Sequence, residues 1–211
     1  DVVDMPSMTA MVNGDYQNDS EYSVAANGCR YRKEKQGFLG AIMETMYDDR
    51  LEYKRKLKEA YKAKDENGIA TYNNMQMAKK IQLNSAYGAL GNKYFRYYDV
   101  RHASAITISG QLTIQWIARG VNEYLNDVLK TKNKDYIVAS DTDSIYVTFA
   151  DLVKKVLGEE HSIEDAVNLL NKASDGPIRE LMDKSYHSLA AMMGAYKNAM
   201  RMKRENIANR G

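Results

Sequence analysis

Two aspartates one residue apart, Asp141 and Asp143, stand in the run YIVASDTDSIYVTF at residues 136–149. Carboxylates that close repel when both are ionised, which raises one pKa unless a cation sits between them, so a divalent ion is the natural partner of the pair. All-oxygen ligands select Mg²⁺ or Mn²⁺ over zinc. The plainer alternative is an Asx-turn in which the side chains only bond nearby backbone. A second constellation lies upstream, where Lys80, Asn84 and Tyr87 are spaced i, i+4, i+7, so that an ammonium, an amide and a phenol share one helix face. Gly88 and Gly91 follow, where a helix should end and where backbone can approach a ligand closely. Arg50 and Lys54, one turn apart on the preceding segment, complete a set able to hold a polyphosphate. The same residues also read as a solvated stripe capped by glycine.

Tight turn chemistry at residues 140–144, between β-branched and aromatic runs at 136–138 and 145–149, predicts a β-hairpin with both acids at its tip. From about Ala41 a helical stripe of Ile42, Met43, Met46, Tyr47, Leu51, Leu57 and Tyr61 runs until Asp65-Glu66-Asn67-Gly68 breaks it. A second helix at about 69–87 must run antiparallel to the first because the turn is short. The cations from Arg50 to Lys64, Lys58 among them, read as a solvated helix with i, i+4 ion pairs. A third helix at about 103–128 presents Ile106, Ile117, Val121, Tyr124, Leu125 and Val128, with Trp116 beside them. Ser162 caps a fourth helix to about Ala173, and Pro177 opens a fifth to about Tyr196. Residues 1–27 read as irregular with one short strand near 21–24, residues 28–39 as a small hairpin turning on Gly37, residues 94–98 as an aromatic strand or loop, and 200–207 as a strand bearing Glu205.

The chain has 211 residues, 44% hydrophobic and 27% charged, with a net charge of +2, an ordinary globular composition that excludes a histone-like binder. A lone cysteine, Cys29, excludes an internal disulfide, and no apolar run is long enough to span a bilayer. The polar start is unlike a signal peptide, so an intracellular protein is expected, and the Asn18-Asp19-Ser20 sequon reads as surface loop. Two prolines suit long helices, whereas sixteen tyrosines fit either a core or a nucleic-acid surface.

At KKIQLNSAYGALGNKYFRYYD, residues 79–99, followed by SDTDSIYV, the chain resembles the family B DNA-directed DNA polymerases, above all their branch in T4-like bacteriophages. Lys80 with Asn84-Ser85-Ala86-Tyr87-Gly88 matches one family motif, Asp141-Thr142-Asp143-Ser144 another, and GFLGAIMETMYDDRLEYK resembles the first fingers helix. The resemblance implies an α+β fold in which a long antiparallel helical hairpin, the fingers, joins an antiparallel-sheet palm with packed helices. Residues 1–40 would connect palm to fingers and include a small β-hairpin, 41–87 would be fingers, and 88–211 part of the palm. It implies that Arg50, Lys54 and Lys80 hold the nucleotide phosphates with Asn84 on the same face. Tyr87 and Gly88 would pack on the nascent base pair. Asp143 would ligate two Mg²⁺ ions, for which Mn²⁺ can substitute, with Asp141 setting their coordination and Glu205 a nearby acid. Implied partners are primer-template DNA, deoxynucleoside triphosphates and the remaining polymerase segments, with no membrane; the implied location is the cytoplasm of an infected host cell.

Three departures stand out. The family's first catalytic motif, Asp followed by Ser-Leu-Tyr-Pro, is absent, as are exonuclease and thumb. Ala139-Ser140 replaces the usual Tyr-Gly, and Lys203 stands where the phage enzymes carry an acid. Among alternatives, a glycosyltransferase using Asp-x-Asp would want alternating strands and helices before the motif. An EF-hand fails because its sixth and twelfth positions from Asp141 are Tyr146 and Leu152. A non-catalytic helical binding module is the third alternative. The resemblance casts the chain as a fragment of a polymerase, so a primer-extension assay with Mg²⁺ on this chain alone is expected to show no synthesis; robust extension would contradict that expectation.

Overall fold

The computed structural model describes residues 1–208. In order the elements are α1 (Met8–Asn13), β1 (Ser23–Val24), β2 (Arg30–Tyr31), α2 (Phe38–Ala63), α3 (Glu66–Leu90), α4 (Val100–Leu129), β3 (Ile137–Asp141), β4 (Ser144–Val147), α5 (Ala150–Leu157), α6 (Ile163–Asp175) and α7 (Pro177–Met192). The fold is α+β, with small two-stranded antiparallel sheets, β1-β2 and β3-β4, rather than the parallel sheet a nucleotide-sugar enzyme would need. The chain forms two compact units, Arg32–Ser104 and the remainder.

The unit Arg32–Ser104 is built on the antiparallel pair α2 and α3. Lys64, in the left-handed region at φ 56, closes α2 by donating its backbone N–H to the Tyr61 carbonyl at 3.2 Å, while the Asp65 N–H reaches back to the Ala60 carbonyl at 3.0 Å. Asp65 then caps α3 by accepting from the Gly68 N–H at 3.0 Å. So few residues separate the helices that they must fold back on each other. Very little is buried: Ala60 alone in α2 and no residue in α3. A cross-pair between Lys79 Nζ and Asp49 Oδ2 at 2.7 Å fixes the register.

Several expectations are corrected in this region. Phe38 and Leu39 begin α2 instead of forming a strand, because the helical period that follows them is long enough to propagate back to Gly37. The small hairpin lies earlier, pairing Ser23 with Tyr31 and Val24 with Arg30. Gly28 makes its turn at φ 83, where a Cβ would lie 2.0 Å from the Val3 carbonyl oxygen. Helix α3 runs through Gly88 to Leu90 and stops at Gly91, since one glycine costs a helix interior only about 1 kcal/mol. Residues 94–98, read as strand or loop, take the loop alternative, and no strand forms at 200–207.

In the other unit, α4 from Ala105 onward supplies the buried stripe Ala105, Leu112, Ile117, Val121 and Leu125. Ile106, expected on that stripe, is 50% exposed, because the period places Ala105 inward instead. One core cluster gathers Met11, Ala26, Leu112, Leu189, Met192 and Met193, with Met5 and Met8 against it, so flexible thioethers fill the space between α1, α4 and α7. A second gathers Ile117, Val121, Leu125, Tyr136 and Tyr186 under the β3-β4 hairpin. Each large side chain removed from water in this way contributes about 2 kcal/mol. Asn18 of the sequon is half-buried, its side-chain amide donating to the Tyr22 and Met193 carbonyls at 2.7 and 3.1 Å, so it ties the N-terminal loop to the end of α7. Helices α1 and α5, missed in the sequence, are short, and α7 ends at Met192, before Tyr196. Among the described residues no helix is long and apolar enough to cross a membrane.

Leu112 is 1% exposed, so Leu112→Ala is expected to cost about 3 kcal/mol in urea unfolding, whereas Ile106→Ala should change stability by less than about 1 kcal/mol.

Candidate functional site

Two sets of side chains are assembled, one in each unit. The first lies between α2 and α3, where Arg50, Lys54, Leu57, Lys58 and Tyr61 form one stripe of α2 facing Gln76, Met77 and Lys80 of α3. They line an open groove of about 320 Å³. None of the groove cations makes a side-chain hydrogen bond or ion pair with another described residue, and Arg50 Nε is buried without any partner. Buried N–H donors of this kind are normally satisfied, so Arg50 Nε retains an unused donor at the groove. Cations on other faces of the hairpin are already committed: Arg55 to Glu52 and Glu59, both at 2.6 Å, Lys56 to Glu52 at 3.5 Å, and Lys79 to Asp49 at 2.7 Å.

Further along α3, Asn84, Tyr87 and Gly88 continue the Lys80 face and are all exposed. A Cβ built on Gly88 would meet nothing within 4 Å. The fold itself therefore has no need of glycine there, and the bare backbone remains open to close approach by a ligand.

The second set is the β3-β4 tip. Asp141 pairs with Ser144 in register, leaving Thr142 and Asp143 as the turn. Thr142 sits at φ 52, a left-handed conformation that β-branched residues rarely adopt and that is typically tolerated at functional sites. Its hydroxyl donates to Asp141 Oδ1 at 3.0 Å, and Ser144 Oγ donates to the Asp141 carbonyl at 3.1 Å. The Asp141 carboxylate thus accepts a neighbouring hydroxyl rather than a backbone N–H of the Asx-turn considered from the sequence, while the exposed Asp143 carboxylate accepts no hydrogen bond from a described residue. Burial raises the Tyr186 phenol pKa first, and the negative charge of Asp143 adds to the effect. A bulge after Ile137 leaves Val138 outside the ladder and sets Ala139, which stands where an aromatic was expected, opposite Tyr146.

The root of this hairpin is bolted to α4. Asn122 Oδ1 accepts the Tyr136 N–H at 2.8 Å while its amide donates to Asp135 Oδ1 at 2.8 Å. Asp135 also accepts the Ile137 N–H at 2.9 Å, the main cause of its lowered pKa. Asn126 accepts from the Lys134 N–H and Thr131 Oγ1, both at 2.9 Å, and the fully buried Tyr136 shares a 2.8 Å bond with Thr131. These supports were invisible in the sequence, where Asn122 and Asn126 are merely i, i+4 amides.

Two all-oxygen ligands on a tight turn suit a hard divalent ion that keeps most of its water. Glu205, the third expected acid, is exposed on irregular backbone. Among the described residues no three His, Cys, Asp or Glu side chains gather in one place, so any metal reading rests on Asp141 and Asp143.

Residues 5–192 match the sequence profile of DNA polymerase family B. The chain is 44% identical over 144 residues to the DNA-directed DNA polymerase of Enterobacteria phage T4, covering 68% of this chain and 16% of that protein. It is 41% identical over 136 residues to the corresponding enzyme of Escherichia phage RB69, covering 63% of this chain and 15% of that protein. DNA polymerase 1 of Pyrococcus abyssi is 32% identical over 133 residues, 63% of this chain and 16% of that protein. The chain thus spans only about a sixth of the length of these relatives.

The outer-face pairing can be tested on its own. Hydrogen bonding from Arg55 holds the Glu52 carboxyl at about 2 against an ordinary 4.5, so the pair stabilises α2 above pH 4.5 and this contribution is lost as pH falls toward 2. An NMR titration of the Glu52 carboxyl carbon is expected to give that low midpoint, and Arg55→Ala should return it toward 4.5. A wild-type midpoint near the ordinary value would contradict the pairing.

Proposed function

Because this chain belongs to DNA polymerase family B, we propose that it supplies the triphosphate-binding fingers and one metal-binding palm motif of a template-directed DNA polymerase. In this reading residues 41–87 are the fingers hairpin, 1–40 connect it to the palm, and 88–211 belong to the palm. The substrates are primer-template DNA and deoxynucleoside triphosphates, with further polymerase segments as partners and the cytoplasm of an infected host cell as location.

The observation that carries the proposal is the unpaired cation set around one small groove, with Arg50 Nε left wanting an acceptor. Phosphoryl transfer asks little covalent chemistry of the protein and much positioning and charge neutralisation. Arg50 offers its planar fork to phosphate oxygens, and Lys54 and Lys80 add point charges from opposite walls. Asn84 continues the same face with an amide for the sugar-phosphate end. Tyr87 and the bare backbone of Gly88 then meet the nascent base pair, where a side chain at 88 would stand in the way. Asp143, which accepts no hydrogen bond from another described residue, and Asp141, whose Oδ1 accepts the Thr142 hydroxyl, would hold Mg²⁺ at the hairpin tip. Two such ions would supply charge neutralisation to the phosphoryl group as it is transferred. No observation favours a nucleotide-sugar substrate.

In a full-length polymerase carrying this segment, Lys80→Ala is expected to raise the KM for deoxynucleotide about tenfold or more while primer-template affinity stays unchanged in a filter-binding assay. Asp143→Ala should lower synthesis at least about a thousandfold with nucleotide binding retained. Unaltered nucleotide dependence in the first variant, or near-normal synthesis in the second, would remove the corresponding role.

A further inference from the structure

The groove between α2 and α3 holds one cation more than the proposed triphosphate set. Lys58 lines it one helical turn beyond Lys54, and Gln76 faces it from α3 one turn before Lys80. The helices are antiparallel with Asp49 paired to Lys79, so Arg50 and Lys80 are level with each other. Asn84, Tyr87 and Gly88 therefore lie to one side of that level, and Lys58 lies to the other, toward the Lys64-Asp65 turn. A nucleotide whose base end meets Tyr87 and Gly88 would point its phosphates toward Lys58.

We infer that Lys58, with Gln76 opposite, forms a terminal-phosphate subsite at the outer end of this groove, which engages the last phosphate of an incoming nucleotide and retains free pyrophosphate after transfer. The inference rests on the triphosphate reading of the groove and assigns its far end. Charge supports it: Lys58 has no side-chain partner among the described residues, although Glu59 lies next to it and pairs with Arg55 instead. Size supports it as well, because about 320 Å³ between two helices suits a small polyphosphate, whereas a DNA backbone would need an extended open surface. Pyrophosphate bound there is held by Lys58 and Lys54 without Lys80, which provides a route by which product can shift outward before it leaves.

The test uses the 211-residue chain with inorganic tripolyphosphate and pyrophosphate, followed by isothermal titration calorimetry at low salt. Lys58→Ala is expected to weaken both ligands about fivefold, Lys58→Arg to preserve binding, and Lys62→Ala, on the same helix but off the groove, to have no effect. Circular dichroism of each variant checks that α2 remains folded. If Lys80→Ala weakens tripolyphosphate while Lys58→Ala does not, the subsite is refuted and the triphosphate groove stands. If the parent chain binds neither anion, both fall together. Equal weakening by Lys58→Ala and Lys62→Ala would reduce the effect to overall charge and also refute the subsite. So would an equal loss of affinity for a single-stranded oligonucleotide, since that would make Lys58 a contact to DNA.

Discussion

A turn of two residues cannot by itself hold two carboxylates in a defined place. What makes the Asp141/Asp143 tip a definite object is the anchoring of its root, where Asn122 and Asn126 of α4 take up the backbone of residues 134–136 and Tyr136 is buried among Ile117, Val121 and Leu125. Burial of one aromatic and a few amide hydrogen bonds thus fix the strand pair, and the strand pair fixes the acids. The strain at Thr142 is sustainable only because this base is rigid.

The helical hairpin follows the opposite logic. Helix α3 buries no residue and α2 buries only Ala60, so its local stability must come from helix propensity, end capping and surface pairs. Arg55, Lys56 and Lys79 are spent on those pairs, each worth little singly in water. The groove-lining cations are left unspent, and four like charges around one small space repel until an anion arrives. An element with so little buried surface belongs to the low end of local stability, which is where segments that reorganise on binding a ligand are found. If the groove takes polyphosphate as proposed, binding relieves the repulsion and stiffens the pair in one event.

Gly88 joins these two themes. Inside a helix it costs stability relative to alanine, and the space around it shows no packing reason for the loss. A local rule broken without a local benefit is characteristic of a position serving something other than the fold. The same argument applies to Arg50 Nε, which is buried without a partner.

Much of this was legible in the residues alone. Turn-forming Ser140 to Ser144 between β-branched runs specified the acid hairpin, the short break at Asp65 specified antiparallel helices, and Ser162 and Pro177 marked helix starts, all through interactions within a few residues of chain. Where a signal is short or a choice depends on distant packing, the sequence misleads: Phe38 starts a helix rather than a strand, Ile106 lies outside the core, and 200–207 forms no strand. Which cations on α2 are paired follows local spacing, since Glu52 stands three and four residues before Arg55 and Lys56, whereas Arg50, Lys54 and Lys58 have no acid three or four residues away. Only the tertiary structure, by setting α3 against one face of α2, decided that Arg50, Lys54 and Lys58 would line a groove with Lys80. Local periodicity determines which side chains share a face, but only packing determines what that face meets.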